Sequence, residues 1–323
     1  MCMIKFDEIK NIIEPELKVF NELYEKELSS SNDLLNKVLK YVAKGEGKKI
    51  RPILTILSAR MVDVDASIEE TCYSAVALEY LHTSSLVHDD VIDEATTRRG
   101  RDSVNKLWDN KVAVLTGDFI LSKVLFCATK TQNLQIVNLI SSLGAHLSEG
   151  ELLQMKLAQN NTFKEEDYFE VIYKKTAVLF ETAMQCGVLS VSDDVDKLNA
   201  LLNYGKNIGM AFQIRDDIFD YYDDKNVGKP TGNDIREGKI TLPLLYALKN
   251  ADTSLLNRFS QSLTSEDIDF FISYAKQNGG IKYAESMMAN YIDSAIQNLS
   301  IFPDSFYKDS LISIAHYIID RNK

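Results

Sequence analysis

Leucine, isoleucine, valine and aromatic residues recur along this chain three and four positions apart, the spacing that lays an apolar stripe along a helix. Leu34, Leu35, Val38, Leu39 and Val42 mark such a stripe in a capped helix predicted from Ser31 to Ala43. Pro52 suits a helix start and opens "ILTILSARM". Residues 71 to 93 then carry Val76, Ala77, Tyr80, Leu81, Val87 and Val91 on one face. "KVAVLTGDFILSKVLFCAT", "LQIVNLISSLGAHLSEGELLQM" and "DYFEVIYKKTAVLFETAMQCGVL" read as three more long helices. Another runs from about Val195 to Tyr222, where Gly205 and Gly209, one turn apart, allow close packing. "TLPLLYALKN" resumes helix from Thr241 with Pro243 in its first turn. No alternating apolar–polar runs lie between tight Asn-Gly or Asp-Gly turns, and no proline falls between Pro52 and Pro230. The expectation is an all-α chain, with no linker to divide residues 1–323 into separate domains.

Two places break the apolar pattern with carboxylates. "LVHDDVIDEATTRRG" (86–100) and "FQIRDDIFDYYDD" (212–224) share an Asp-Asp-x-x-Asp spacing. On a helix Asp89 and Asp93 face the same way, with Asp90 turned about 100° aside. Asp216 and Asp220 repeat the pair, with Asp217 aside and Gln213 one turn before Asp216. A solvated acidic face is the plain alternative. Against it, Leu86, Val87, Val91 and Ile92 around one cluster, and Phe212, Ile214, Ile218 and Phe219 around the other, read as packed walls. Hard oxygen ligands in small number suit Mg²⁺, completed by water and a substrate phosphate. The EF-hand loop pattern is absent, as are a G-x-x-x-x-G-K-[ST] loop and any kinase signature.

Composition narrows the ligands. With 36 basic and 47 acidic residues the formal charge is −11, which disfavours general nucleic-acid binding. Any anionic ligand must be held locally, by metal ions or by clustered bases. Those bases are Lys48, Lys49 and Arg51 in "GEGKKIRP", Arg98 and Arg99, Lys174 and Lys175, and Lys225, Lys229 and Lys239 in a loop read as mobile because of Gly228, Gly232 and Gly238. His82 lies seven residues before Asp89, on the same helix face; His88 adjoins the cluster, and His146 and His316 read as structural. Cys2, Cys72, Cys127 and Cys186 are scattered, with no C-x-x-C pair, which points to reduced thiols in the cytoplasm. The start lacks the plan of a secretory signal. No apolar run reads as reaching the roughly 20 residues of a bilayer span.

"GKKIRP", "LVHDDVIDEATTRRG", "KKT", "FQIRDDIFD" and "GKPTGNDIREGKITLP", in this order, resemble the trans-isoprenyl diphosphate synthases, specifically the long-chain, octaprenyl-like polyprenyl branch. The resemblance runs from about residue 45 to 245, and the closing "YIIDRNK" is also similar. It implies one large helical bundle with the isoprenoid synthase fold around a deep central cavity, a homodimer, and elongation of an allylic diphosphate, farnesyl or geranylgeranyl, by isopentenyl diphosphate. It assigns Lys48, Arg51, His82 and Arg99 to isopentenyl diphosphate. Asp89, Asp93 and Asp216 would bind several Mg²⁺ ions, with Asp90, Asp217 and Asp220 supporting. Arg98, Lys175, Thr176, Gln213, Lys229 and Lys239 would hold the allylic substrate. Lys229 is preferred to Lys225.

The resemblance also implies that residues just before the first aspartates set product length. Ser84 and Ser85 are small, and one helical turn advances about 5.4 Å, comparable to one isoprene unit, so the path stays open beyond C20, to roughly C30–C50 with octaprenyl the best single expectation. Close helix packing at the serine pair is the competing reading, with a floor deeper down near Ile136, Ile140 and Leu143. A short-chain farnesyl or geranylgeranyl diphosphate synthase, a class I terpene cyclase and a non-catalytic subunit of a heteromeric synthase are the rivals.

Overall fold

A computed structural model describes residues 3–320 apart from 46, 161–163, 223–230, 250, 252–254, 256, 257 and 260–262. Its helices are α1 (Phe6–Ile12), α2 (Glu14–Glu27), α3 (Asp33–Ala43), α4 (Ile50–Val62), α5 (Glu69–Ile92), α6 (Val104–Leu107), α7 (Asn110–Lys130) and α8 (Leu134–Asn160). After these come α9 (Glu165–Ile172), α10 (Val178–Leu189), α11 (Val195–Phe219), α12 (Asn233–Arg236), α13 (Leu242–Leu248), α14 (Ser265–Gln277), α15 (Gly280–Asn298) and α16 (Phe306–Asp320). Among the described residues the only strands are β1 (Thr97–Arg98) and β2 (Arg101–Asp102), one small antiparallel hairpin. The fold is all-α.

Backbone contacts gather into two compact units, one of residues 1–144, 182–202 and 301–311, the other of 145–181, 203–300 and 312–323. In the first, α5 is central: every residue from Thr71 to Leu81 is buried, Glu79 among them, with α2, α4 and α7 packed against it. Ser84, fully buried, donates its hydroxyl to the Gly117 carbonyl of α7 at 2.9 Å. The wall expected beside the first aspartates is partial. Val87 is buried and Leu86 and Val91 are half-buried, but Ile92 is exposed, because the helix ends there.

The α7 helix is longer in its apolar run than the sequence reading allows. It spans 21 residues with a mean hydropathy of 1.7 in its best window, so by length and composition it qualifies as a bilayer span. Lys111, Asp118 and Lys123 interrupt the run in the sequence and hide this, and 39% of the window is buried within the protein.

The second unit holds another departure. The long helix expected from Asp167 to Leu189 is broken by a π-helical turn, Tyr173–Ala177, in which the Val178 N–H reaches back to the Tyr173 carbonyl. The core of this unit gathers Tyr221, Leu244, Phe271, Ile272, Ala275 and Ile281 from α13, α14, α15 and the end of α11.

The predicted cap of α3 shifts by one residue: Asn32, not Ser31, supplies it, its Oδ1 accepting the Leu35 N–H at 3.0 Å. Asn32→Ala is expected to cost about 1 kcal/mol, read as a lowered urea midpoint with an unchanged slope, whereas Ser31→Ala leaves the midpoint in place.

Candidate active site

Asp89, Asp90 and Asp93 occupy the C-terminal end of α5, where Asp93 caps the helix and its N–H bonds the Asp89 carbonyl at 2.8 Å. This is the negative end of the helix dipole, and no base stands in the last turn. The three carboxylates are treated differently. Asp90 is buried and held by Arg98, whose Nε and Nη2 reach Asp90 Oδ1 at 2.7 and 2.5 Å. Asp89 is half-buried and Asp93 exposed. The sequence turned Asp90 aside from the other two, and the burial agrees.

Arg98 and Arg99 are presented by the hairpin. Arg99 and Gly100 have φ of 51° and 72°, the positive values a type I′ turn needs at both central positions. Asn-Gly would fit better, and a left-handed arginine costs about 1 kcal/mol, strain of the kind retained at working sites. Gly47 sits against this side chain: a Cβ there would lie 2.8 Å from Arg99 Nη1, so a side chain at residue 47 would push the guanidinium aside. A pocket of about 390 Å³ opens here, lined by Lys49, Glu79, Thr83, Arg98, Arg99 and Arg101 among others.

Of the four side chains assigned to isopentenyl diphosphate, Arg99 lines this pocket; Lys48 is exposed, and Arg51 and His82 are not on its wall. Lys49, to which no role was given, does line it; its Nζ donates to Asn21 Oδ1 at 2.6 Å and lies over the Phe20 and Tyr24 rings. Arg51 and His82 still belong to the same electrostatic group. Burial and the neighbouring Arg99 hold Arg51 down to about 10 while Glu79 supports its charge, and burial with Arg51, Arg99 and Arg98 pushes His82 well below its usual range. His82 is therefore neutral.

In the second unit Lys175 and Thr176 ride on the π-helical turn. Lys175 pairs with Glu151 at 2.5 Å and donates to Gln154, both on α8. Thr176 donates to Gln213 Oε1 at 2.6 Å, Gln213 Nε2 donates to Asp217 Oδ1 at 2.8 Å, and Tyr168 donates to Asp217 Oδ2 at 2.7 Å. Asp220 is engaged by backbone: its oxygens accept the N–H groups of Asn233 and Asp234, each at 3.0 Å. Asp216 is half-buried. Lys239 pairs with Glu237 at 2.5 Å. Lys225, Gly228 and Lys229 lie outside the described residues.

Burial and the nearby Asp234 carboxylate raise Asp217 to about 8, against the hydrogen bonds from Tyr168 and Gln213; burial and Asp220 raise Asp234 to about 6. A pocket of about 220 Å³ adjoins them, its lining including Tyr168, Lys175, Gln213, Asp217, Asp234 and Lys239. Carboxylates crowded at a helix end that carries no base are a donor set for a hard divalent cation. Among the described residues no three acidic, histidine or cysteine side chains converge on a ready metal position.

Residues 32–271 match the family model for polyprenyl synthetase. The chain belongs to the polyprenyl synthetase family. It is 35% identical to the octaprenyl diphosphate synthase of Haemophilus influenzae, covering 99% of this chain and 98% of that one. A decaprenyl diphosphate synthase from Rhodobacter capsulatus superposes with a TM-score of 0.92 at 31% identity, covering 99% and 100% of the two chains. A polyprenyl synthase from Caulobacter crescentus, complexed with calcium and isoprenyl diphosphate, gives 0.90 at 28% identity over the whole of both chains. A geranylgeranyl pyrophosphate synthase from Bacteroides thetaiotaomicron is 40% identical, with a TM-score of 0.84 over 97% and 98% of the chains.

As a polyprenyl synthetase the chain is a prenyltransferase, and its two pockets are lined in part by residues that the sequence alone does not single out. Glu79 is the only charged residue between Thr71 and Val87, a signal present in the sequence; it is buried, and among the described residues its Oε2 accepts no hydrogen bond. Asp234 stood inside a quoted motif, and Tyr168 carried no sequence signal. Ser84 and Ser85 line neither pocket. Ser84 sits in the α5–α7 contact and Ser85 turns its hydroxyl to the His82 carbonyl at 2.9 Å, the close-packing alternative.

Because folded His82 stays neutral, an unfolded chain takes up a proton there as pH falls below about 6.5 that the folded chain refuses. Stability is therefore complete above that pH and declines below it. Urea midpoints between about pH 5 and 7 are expected to fall less steeply in His82→Gln than in the parent; identical slopes would mean that His82 titrates normally.

Proposed function

We propose that the chain condenses isopentenyl diphosphate onto a farnesyl or geranylgeranyl diphosphate, releasing pyrophosphate and building a long all-trans polyprenyl diphosphate, with octaprenyl the best single expectation and a quinone side chain its use. The observation that carries this is the pair of helix ends, α5 and α11, each loaded with Asp-Asp-x-x-Asp carboxylates and each without a base in its last turn. Asp89, Asp93 and Asp216 are the metal-binding carboxylates in this reading. Mg²⁺, when bound, supplies charge neutralisation for the departing pyrophosphate.

The protein's own groups do the rest. Arg98, fixed by Asp90, and Lys175, fixed by Glu151 and Gln154, place positive charge where negative charge develops, with no reorganisation required during reaction. The Thr176 hydroxyl and the Gln213 amide, already hydrogen-bonded to each other, offer dipoles to an allylic cation without a nucleophile that would trap it. Arg99, with Lys48, Arg51 and neutral His82, holds the isopentenyl diphosphate. The proton lost after condensation passes to pyrophosphate, so no general base is needed among the side chains. Residues 1–323 act as one synthase in this reading, in the cytoplasm, where Cys72, Cys127 and Cys186 stay reduced and buried. A homodimer would cover the exposed face of α7 formed by Val114, Leu115, Leu125 and Phe126.

The purified chain given isopentenyl diphosphate, farnesyl diphosphate and Mg²⁺ is expected to make products that reversed-phase chromatography resolves beyond C20, and EDTA is expected to abolish them. Asp89→Ala or Asp216→Ala should lower kcat by more than about 10²-fold; EDTA-resistant turnover, or near-normal rates in both variants, overturns the metal assignment.

Arg99→Asn separates binding from folding. Asparagine suits the left-handed turn position, so stability is expected to hold or rise by up to ~1 kcal/mol. The KM for isopentenyl diphosphate should rise about tenfold or more, the worth of a charged hydrogen bond, with kcat little changed because that diphosphate does not depart. A rise in the allylic KM instead reverses the roles of Arg98 and Arg99.

A further inference from the structure

The π-helical turn that carries Lys175 and Thr176 lies against two glycines, one on each helix that receives those side chains. A Cβ on Gly150 of α8 would stand 2.8 Å from Lys174 Cβ and 3.1 Å from the Lys175 backbone nitrogen. A Cβ on Gly209 of α11 would stand 2.5 Å from Ala177 Cα and 3.1 Å from its carbonyl oxygen. The partners of the turn come from the same two helices, one turn or less beyond each glycine. Glu151 and Gln154 follow Gly150 and take Lys175, while Gln213 follows Gly209 and takes Thr176.

We infer that Gly150 and Gly209 are positioning residues for the allylic half of the reaction, a two-sided seat that fixes the π-helical turn so that Lys175 and Thr176, adjacent in sequence, point to different helices. Sequence neighbours on a helix are about 100° apart, so their partners must stand on separate elements. A turn with i→i+5 bonding persists only where its surroundings hold it. The hydrogen bonds at Gln154 and Gln213 tolerate shifts of a few tenths of an ångström, and a methyl at 2.5 Å from a backbone carbon demands more. The clash at Gly209 is with backbone, so no rotamer relieves it. The inference rests on the function proposed above for Lys175 and Thr176.

The test compares Gly209→Ala and Gly150→Ala with Gly280→Ala, a control in the same unit whose Cβ would crowd the Pro243 carbonyl oxygen of α13 at 2.0 Å and meets no atom of the turn among its nearest contacts. Gly209→Ala and Gly150→Ala are expected to lower kcat at least tenfold with the KM for isopentenyl diphosphate within twofold of the parent, and to speed amide exchange across residues 173–178 at least tenfold. Gly280→Ala is expected to lose stability with kcat and exchange at the turn unchanged. If Gly209→Ala does not accumulate folded, Gly150→Ala, whose closest approach of 2.8 Å is milder than the 2.5 Å at Gly209, carries the test. Parent-like kcat and exchange in the turn variants, or an equal loss of kcat in Gly280→Ala, overturns the seat. If the parent itself makes no product, the proposed function fails, and exchange at residues 173–178 alone then decides whether the glycines fix the turn.

Discussion

Like charges gathered at the negative end of a helix are the constraint around which each of the two aspartate clusters is built. Carboxylates in the last turn of a helix oppose its dipole, and neighbouring carboxylates oppose one another. The protein absorbs part of this internally. Arg98 holds Asp90, Tyr168 and Gln213 hold Asp217, and the backbone N–H groups of Asn233 and Asp234 hold Asp220. These are the three aspartates that the sequence reading sets beside the metal ligands as supporting residues. What the internal bonds leave shows in Asp217, which burial and Asp234 raise to about 8 even with two hydrogen bonds favouring its charged form.

The basic residues of the first unit meet the opposite demand. Arg51, Arg98 and Arg99 concentrate positive charge around a buried histidine, and burial lowers His82 further, so that it adds no fourth charge. Glu79, set in the apolar middle of α5, is the counterweight, supporting the charge of Arg51. Arg99 bears strain besides: its left-handed backbone and its contact with Gly47 place a guanidinium where a turn alone would take asparagine. Stability given up at such a position is intelligible when the group is needed by a ligand.

Helix periodicity made the fold legible, because packing one face of each helix imposes the same spacing everywhere; α3, α5, α7 and α8 begin and end near their predicted limits. The Asp-Asp-x-x-Asp pairs and the double arginine were legible for a related reason: charge in an apolar run requires a cause. What escaped depends on partners distant in sequence. The π-helical turn has no local signature in "YKKTA", since its geometry is set by α8 and α11. Tyr168 looks like any aromatic residue until Asp217, 49 positions on, is found beside it. The apolar length of α7 was obscured by Lys111, Asp118 and Lys123, which a residue-by-residue reading takes as interruptions and a helix accommodates by turning them outward or leaving them half-exposed.

Ser84 shows how one small residue supports two readings until its neighbour is known. A serine removes bulk, so either a growing chain or another helix can use the room. Here Gly117 takes it: the Ser84 hydroxyl bonds the Gly117 carbonyl, and the serine is wholly buried in a contact between α5 and α7. Ser84 is thus part of the helix contact, and the alternative limit on product length is a set of side chains that would close a cavity by their volume. Ile136, Ile140 and Leu143 lie one turn apart on α8, all buried, and are apolar and branched, as a barrier to a hydrocarbon chain requires. A floor of this kind acts through shape alone, since an isoprenoid tail offers no polar group to recognise; volume, in methylene-sized steps, is then the only property by which the protein can set length.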